Sequence, residues 1–187
     1  AAGLAGCLPG ALAAPRQPGK HSLGVALVGL GYYSRDLLAP GLQLTRNCHL
    51  AGVVTGTPAK ALEWQRKYDL SDRNIYDYDN FDRIADNPDI DVIYIVLPNH
   101  LHKPFTLRGA AAGKHVWCEK PMAMNALEAQ EMIDACQRNK VKLSIGYRMQ
   151  HEPNTQRVIG FAHERPYGAL RSLQCDAGFE GFHDAAG

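Results

Sequence analysis

The chain has 187 residues, of which 45% are hydrophobic and 21% charged, and this composition is typical of a globular protein. Twenty lysine and arginine residues stand against 19 aspartate and glutamate residues. The balance gives no reason to expect nucleic acid or an anionic membrane as the main partner. The five cysteines are odd in number and form no C-x-x-C pair, which argues against a disulfide framework.

Residues 1–22 differ in composition from the rest. The segment up to residue 15 is small, apolar and almost uncharged, and Ala11-Leu12-Ala13 offers an A-x-A cleavage site typical of a secretory signal. Leu4-Ala5-Gly6-Cys7 is similar to a lipoprotein box, which would make Cys7 a lipid anchor. Residues 15–22 are a Pro/Gly-rich arm. We expect export, in a bacterium to the periplasm; the alternative is a flexible tail on a cytoplasmic protein.

Short apolar stretches alternate with helical patterns from residue 23 to residue 147. Strands are predicted at 24–30, 49–55, 75–76, 91–97, 115–119 and 142–146, and helices at 33–44, 58–68, 80–86, 104–112 and 125–138. Such alternation predicts an α/β fold with a doubly wound parallel sheet, the Rossmann type. A helix at 152–164 and a strand at 169–176 would begin a second, incomplete α+β domain spanning 148–187.

The first predicted strand runs into Gly29-Leu30-Gly31-Tyr32-Tyr33-Ser34, which is almost a dinucleotide-binding turn. Gly29 permits a tight turn, and Gly31 allows pyrophosphate to approach the backbone at a helix N-terminus. The third position of the motif serves helix–strand packing, where a small serine is tolerated. Because the turn follows the first strand of a βα series, we interpret it as a phosphate-binding turn.

The end of the second strand predicts which cofactor is bound. NAD-binding proteins place an acidic residue there to bond the ribose, but the stretch VVTGTPAK contains none. Thr55 and Thr57 offer hydroxyl groups, and Lys60 or Arg35 could neutralise a 2′-phosphate. We therefore expect NADP, with NAD as second choice. The alternative for Lys60 is a solvated helix lysine.

Two polar stretches, LPNHLH at 97–102 and CEKP at 118–121, follow the ends of predicted strands. Open α/β sheets bind their ligands at that edge. His100 and His102 permit a metal hypothesis, but no third ligand has suitable spacing, and we expect no metal site.

Cys118 lies three residues after His115, a pairing that permits a thiol nucleophile. In a strand of alternating residues, however, Cys118 is better interpreted as part of the core.

Four motifs in order resemble one family, that of the glucose-fructose oxidoreductases, inositol dehydrogenases and rhizopine-catabolism oxidoreductases, and in particular its periplasmic glucose-fructose branch. They are Gly29-x-Gly31, Pro98-Asn99-x-x-His102, Glu119-Lys120-Pro121 and Gly146-Tyr147-Arg148. The resemblance extends over about residues 23–175. It implies a Rossmann domain, then an open-sheet domain that shapes a sugar site and a homo-oligomer interface, and hydride transfer between a sugar or polyol carbon and nicotinamide.

The resemblance also implies roles for individual residues. Lys120 would contact the substrate hydroxyl and the nicotinamide ribose, a role that suits a lysine whose charged form is disfavoured by desolvation or by a nearby cation such as Arg148, and the peptide bond before Pro121 would often be cis. The other residues implied to bind the cofactor are Gly29, Gly31, Tyr32, Tyr33, Thr55, Lys60, Leu97, Pro98, Asn99, His102 and Glu119.

The family's second catalytic element would follow residue 187. We therefore expect this chain alone to bind dinucleotide but to turn over slowly or not at all. A non-catalytic dinucleotide sensor of the same fold is the alternative, although an intact Glu-Lys-Pro motif containing Lys120 favours an enzyme.

Overall fold

The structure, a computed structural model, describes residues 22–174 and residue 176. The predicted export signal, the Cys7 anchor and nearly all of the arm lie outside the described residues, as do residues 177–187. The chain divides into two units between Gly146 and Tyr147.

The described part of the first unit, residues 22–146, contains one sheet of six parallel strands. They are β1 (Leu23–Val28), β2 (Cys48–Val54), β3 (Ile75–Tyr76), β4 (Val92–Ile95), β5 (His115–Cys118) and β6 (Leu143–Ile145). Their order across the sheet is β3-β2-β1-β4-β5-β6, so the chain moves outward from β1 in one direction and then in the other. This is the doubly wound Rossmann topology, and the predicted fold class is confirmed.

Helices connect the strands of the first unit. They are α1 (Ala39–Gln43), α2 (Pro58–Tyr68), α3 (His102–Ala111) and α4 (Ala126–Arg138), with 3₁₀ segments at Asp72–Asn74, Phe81–Asp86 and Asn99–Leu101. The predicted start of α4 is confirmed, because the Asn125 side chain accepts a hydrogen bond from the Glu128 N–H at 2.9 Å. Gly113 has a φ of +70°, as expected of a glycine that ends a helix.

Strand β1 is buried on both faces, and its alternate side chains enter two separate parts of the core. Val25 and Leu27 pack with residues of α1 and α2, including Trp64. Ala26 and Val28 pack with residues of α3 and α4. The two faces explain why the strands are almost continuously apolar in sequence.

The predicted helix at 33–44 is present in two parts. Residues Ser34–Leu38 form a π-helical segment in which the Ala39 N–H donates to the Ser34 carbonyl, and α1 follows. Pro40 lies in the first turn of α1, where a missing N–H is tolerated. The continuous apolar pattern gave no sign of the wider turn.

The predicted strand at 169–176 is wrong for the residues that the structure describes there, since 169–174 and 176 contain neither strand nor helix. A strand is stable only when a neighbouring strand satisfies its N–H and C=O groups.

The second unit contains a 3₁₀ segment, Arg148–His151, and helix α5, Pro153–Glu164. The Glu152 side chain caps α5 by accepting from the Thr155 N–H at 2.7 Å. Among the described residues of the chain, no helix has the length and apolar character needed to cross a membrane.

Candidate functional site

The segments singled out in the sequence lie along one edge of the sheet, where the strands end. Each residue just past a strand bonds to the neighbouring strand: the Gly29 N–H to the Val54 carbonyl at 3.0 Å, and the Glu119 N–H to the Ile95 carbonyl at 3.0 Å. The direction of winding reverses between β1 and β4, and ligands of open α/β sheets bind at such a reversal. The glycine turn follows β1, and the 97–102 segment follows β4.

Gly29 is required by the fold itself. Its φ is +94°, and a Cβ atom there would lie 2.4 Å from the Val96 carbonyl oxygen and 2.8 Å from a methyl carbon of Leu97. Any other residue would be strained in its backbone and would collide with the chain that follows β4.

Gly31 is different, because a Cβ atom at this position would meet no atom within 4 Å. Its carbonyl accepts the Arg35 N–H at 3.0 Å and so opens the helix. The N–H groups at the start of a helix have no partner within that helix and favour an anionic group. An accessible backbone at a helix N-terminus fits the pyrophosphate of a dinucleotide.

Ser34 stabilises the glycine turn through a hydrogen bond as well as being small enough to fit. The side chain is fully buried, and its hydroxyl donates a 2.6 Å hydrogen bond to the Gly29 carbonyl. This bond joins the helix to the start of the turn, which a third glycine could not do. The pattern-based interpretation of Ser34 as a tolerated packing residue missed this role.

The end of β2 carries the residues predicted to distinguish NADP from NAD. Thr55 is buried, and its hydroxyl accepts the Thr57 N–H at 3.3 Å. Lys60 is exposed in the first turn of α2. Arg35 is exposed and forms two hydrogen bonds with Asp36, the shorter 2.7 Å long, which raise its pKa. Of the two cations, Lys60 is therefore the better candidate for contact with a phosphate.

His102 is fully buried at the start of α3 and joins two loops of this edge. Its Nε2 lies 2.8 Å from the Leu97 carbonyl oxygen, and its Nδ1 lies 2.8 Å from the Pro121 carbonyl oxygen. His102 therefore contacts the backbone of both loops, whereas Pro98 and Asn99 are exposed beside it.

The Glu119 carboxylate is also buried. Tyr94, on β4, donates its hydroxyl to Glu119 Oε1 at 2.6 Å, and Glu119 Oε2 accepts the Lys120 N–H at 3.3 Å. Burial, followed by the bond to Glu119, raises the pKa of Tyr94 above its usual value. Tyr94 was not among the predicted residues, although a phenol within an apolar strand needs a partner and could have signalled a site.

Lys120 is exposed, and its peptide bond to Pro121 is cis, as the resemblance implied. Of the two tyrosines of the turn, Tyr32 is 66% exposed, whereas Tyr33 is partly buried. Arg148 is exposed in the second unit. The cofactor contacts of these residues stay predictions.

The alternatives from the sequence gain no support. No group of three or more metal-binding side chains occurs among the residues that the structure describes. The Cys118 thiol is fully buried, and burial raises its pKa to about 12, which leaves it unreactive at neutral pH. The His115 ring makes a different contact from the one that a Cys-His pair would need, since its Nδ1 accepts the Lys142 N–H at 3.0 Å.

The fold and this edge define a dinucleotide-binding α/β domain. Residues 23–147 match the model of an oxidoreductase family with an NAD-binding Rossmann fold, the family of glucose-fructose oxidoreductase, inositol dehydrogenase and rhizopine-catabolism proteins. The chain belongs to this family.

Relatives include a D-xylose 1-dehydrogenase [NADP(+)] of Haloarcula marismortui, 30% identical over 133 residues that cover 71% of this chain and 37% of that protein. A solved structure of an aldose-aldose oxidoreductase from Caulobacter crescentus, complexed with glycerol, has a TM-score of 0.75 and 42% identity, covering 77% of this chain and 43% of the other. A 3-ketoreductase from Actinomadura kijaniata in complex with TDP-benzene and NADP shares the fold, with a TM-score of 0.69 and 20% identity over 79% and 45% of the two chains. The chain thus spans less than half of each relative.

Proposed function

We propose that the chain is the cofactor-binding part of an NADP-dependent sugar or polyol oxidoreductase of the glucose-fructose type. The observation that carries the proposal is the open backbone at Gly31 at the start of a helix, beside the edge that holds the Glu119-Lys120-Pro121 motif. The xylose dehydrogenase and the aldose-aldose oxidoreductase act on sugars by their names, which supports this substrate class.

When bound, the nicotinamide accepts or donates a hydride at the sugar carbon. Lys120 is exposed next to the buried Glu119 carboxylate, and we assign it the contact with the reacting hydroxyl. Thr55 and Lys60, at the end of β2, are assigned the 2′-phosphate.

The proposal also includes export to the periplasm and assembly into a homo-oligomer. Because the chain aligns with less than half of each relative, we propose that it binds NADP but oxidises sugars slowly or not at all by itself.

Fluorescence titration with NADPH tests the central proposal. Gly31→Ala places a methyl group where no protein atom lies within 4 Å, so the thermal unfolding temperature stays near that of the wild type. NADPH affinity falls about tenfold or more, because the methyl group occupies the approach of the pyrophosphate. Equal NADPH affinity in Gly31→Ala and the wild type would refute the assignment of the turn.

The choice of cofactor is tested with Lys60→Ala. Loss of a charge that contacts phosphate lowers NADPH affinity by roughly tenfold and leaves NADH affinity unchanged. Lys67→Ala removes an exposed lysine from the other end of the same helix and serves as the matched control. Equal affinities for both cofactors, unchanged by Lys60→Ala, would refute the NADP assignment.

A further inference from the structure

Tyr94 connects two parts of the candidate site that are distant in sequence. It lies on β4 beside Trp117 of β5, with ring centroids 5.7 Å apart and the planes nearly perpendicular. Its hydroxyl reaches the Glu119 carboxylate at 2.6 Å. The phenol therefore joins β4 to the residue that follows β5.

The carboxylate of Glu119 is confined from several sides. Besides the bond from Tyr94, Oε2 accepts the backbone N–H of Lys120, and the carboxylate packs against the backbone of Gly146. A Cβ atom on Gly146 would lie only 2.9 Å from Oε1, so no larger residue fits without moving the carboxylate. A buried carboxylate needs such donors, because burial without hydrogen bonds is unfavourable.

We propose that Tyr94 is a positioning residue for Lys120. Its hydroxyl holds the Glu119 carboxylate where that carboxylate accepts the Lys120 N–H, and the backbone that carries the lysine side chain is thereby fixed. The inference rests on the proposed function, in which Lys120 contacts the reacting hydroxyl. A purely structural bond would stabilise the domain without any local effect at Lys120.

The test uses the 187-residue chain, without cofactor, and Tyr94→Phe, which removes only the hydroxyl. Tyr76→Phe is the control, because the Tyr76 hydroxyl is also hydrogen-bonded within the domain and accepts from the Asn87 side chain at 2.7 Å. Amide hydrogen exchange, followed by NMR, reports on the bond between the Lys120 N–H and Glu119. The Val116 N–H, which donates to the Lys142 carbonyl at 2.8 Å, is the internal reference on β5, the strand that precedes Lys120.

We expect Tyr94→Phe to accelerate exchange at Lys120 about tenfold relative to Val116, and Tyr76→Phe to leave that ratio unchanged. Gly146→Ala, whose methyl group would displace the carboxylate, has the same effect at Lys120. An unchanged ratio in Tyr94→Phe, or an equal change in Tyr76→Phe, overturns the proposal.

Addition of NADP separates this inference from the proposed function. In the wild type, NADP shifts the Lys120 amide resonance, and in Tyr94→Phe we expect less than half of that shift, with NADP affinity within about threefold. A full wild-type shift in Tyr94→Phe overturns the positioning role. If NADP does not bind the wild type, the proposed function fails, and the exchange ratio still decides whether Tyr94 fixes the Lys120 backbone.

Discussion

His102 contacts two loops, and the loss of stability expected on replacing it can be estimated from the structure. Both of its ring nitrogens lie 2.8 Å from carbonyl oxygens, of Leu97 and of Pro121, and the side chain is fully buried. His102→Leu removes both nitrogens while largely filling the same space. The carbonyl that accepts the ring N–H then loses its partner, and the two loops lose the side chain that joins them.

An imidazole that carries a single N–H donates to only one of the two carbonyls, and losing a partly buried hydrogen bond of this kind costs about 1–2 kcal/mol. For a unit of this size, 1 kcal/mol moves the melting temperature by roughly 3–5 °C. The expected decrease for His102→Leu is therefore roughly 3–10 °C. NADPH affinity should fall as well, by about tenfold, because the loops after β4 and β5 are no longer joined.

The assay is thermal unfolding followed by circular dichroism, with NADPH titration well below the melting temperature. His100→Leu makes the same substitution two residues earlier at an exposed position, and it should change stability by less than about 0.5 kcal/mol. If His102→Leu melts within about 2 °C of His100→Leu, the contacts with the two carbonyls contribute little and the reasoning is refuted.

Three further predictions concern single side chains. Ser34→Ala removes the buried 2.6 Å bond to the first glycine of the turn and should lower the free energy of unfolding by about 1–2 kcal/mol, measured by urea denaturation. Burial lowers the pKa of His115, whose Nδ1 accepts the Lys142 N–H. Unfolded His115 thus binds a proton more readily, so its contribution to stability is complete above about pH 6.5 and decreases as the pH falls through that value; His115→Gln should lack this part of the pH dependence in urea titrations. Burial raises the pKa of Cys118 to about 12, so iodoacetamide at pH 8 should label the partly exposed Cys48 well before Cys118, as read by peptide mass spectrometry.

The fold could be predicted because its signals are local. Apolar strands and capped helices alternate along the chain, and glycines or prolines mark their ends, as Gly113 and Pro58 do. The strand predicted at 169–176 was wrong for a non-local reason. A strand depends on a neighbouring strand, which a local sequence pattern does not describe. The π-helical segment Ser34–Leu38 was missed because one extra residue in a turn leaves the apolar spacing almost unchanged.

The candidate site was predictable to the extent that it lies at strand ends. The bond between Tyr94 and Glu119 spans 25 positions, and the contact of Glu119 with Gly146 spans 27, so neither leaves a local pattern. Only the register of β4, β5 and β6 brings these residues together. What the sequence did offer was a phenol within an otherwise apolar strand, and a buried hydroxyl always requires an explanation.

The three positions of the glycine turn differ in what requires them. The fold requires glycine at position 29, because its φ is positive and the Val96 carbonyl leaves no room for a side chain. Ser34 closes the turn through a hydrogen bond, which is also a requirement of the fold. At Gly31, by contrast, no protein atom lies near enough to exclude a side chain. Gly41 and Gly160 are equally open, but Gly31 lies at a helix N-terminus on the edge where the strands end, and an open backbone there favours an anionic ligand. The second glycine therefore carries more information about cofactor binding than the first glycine or the substituted third position.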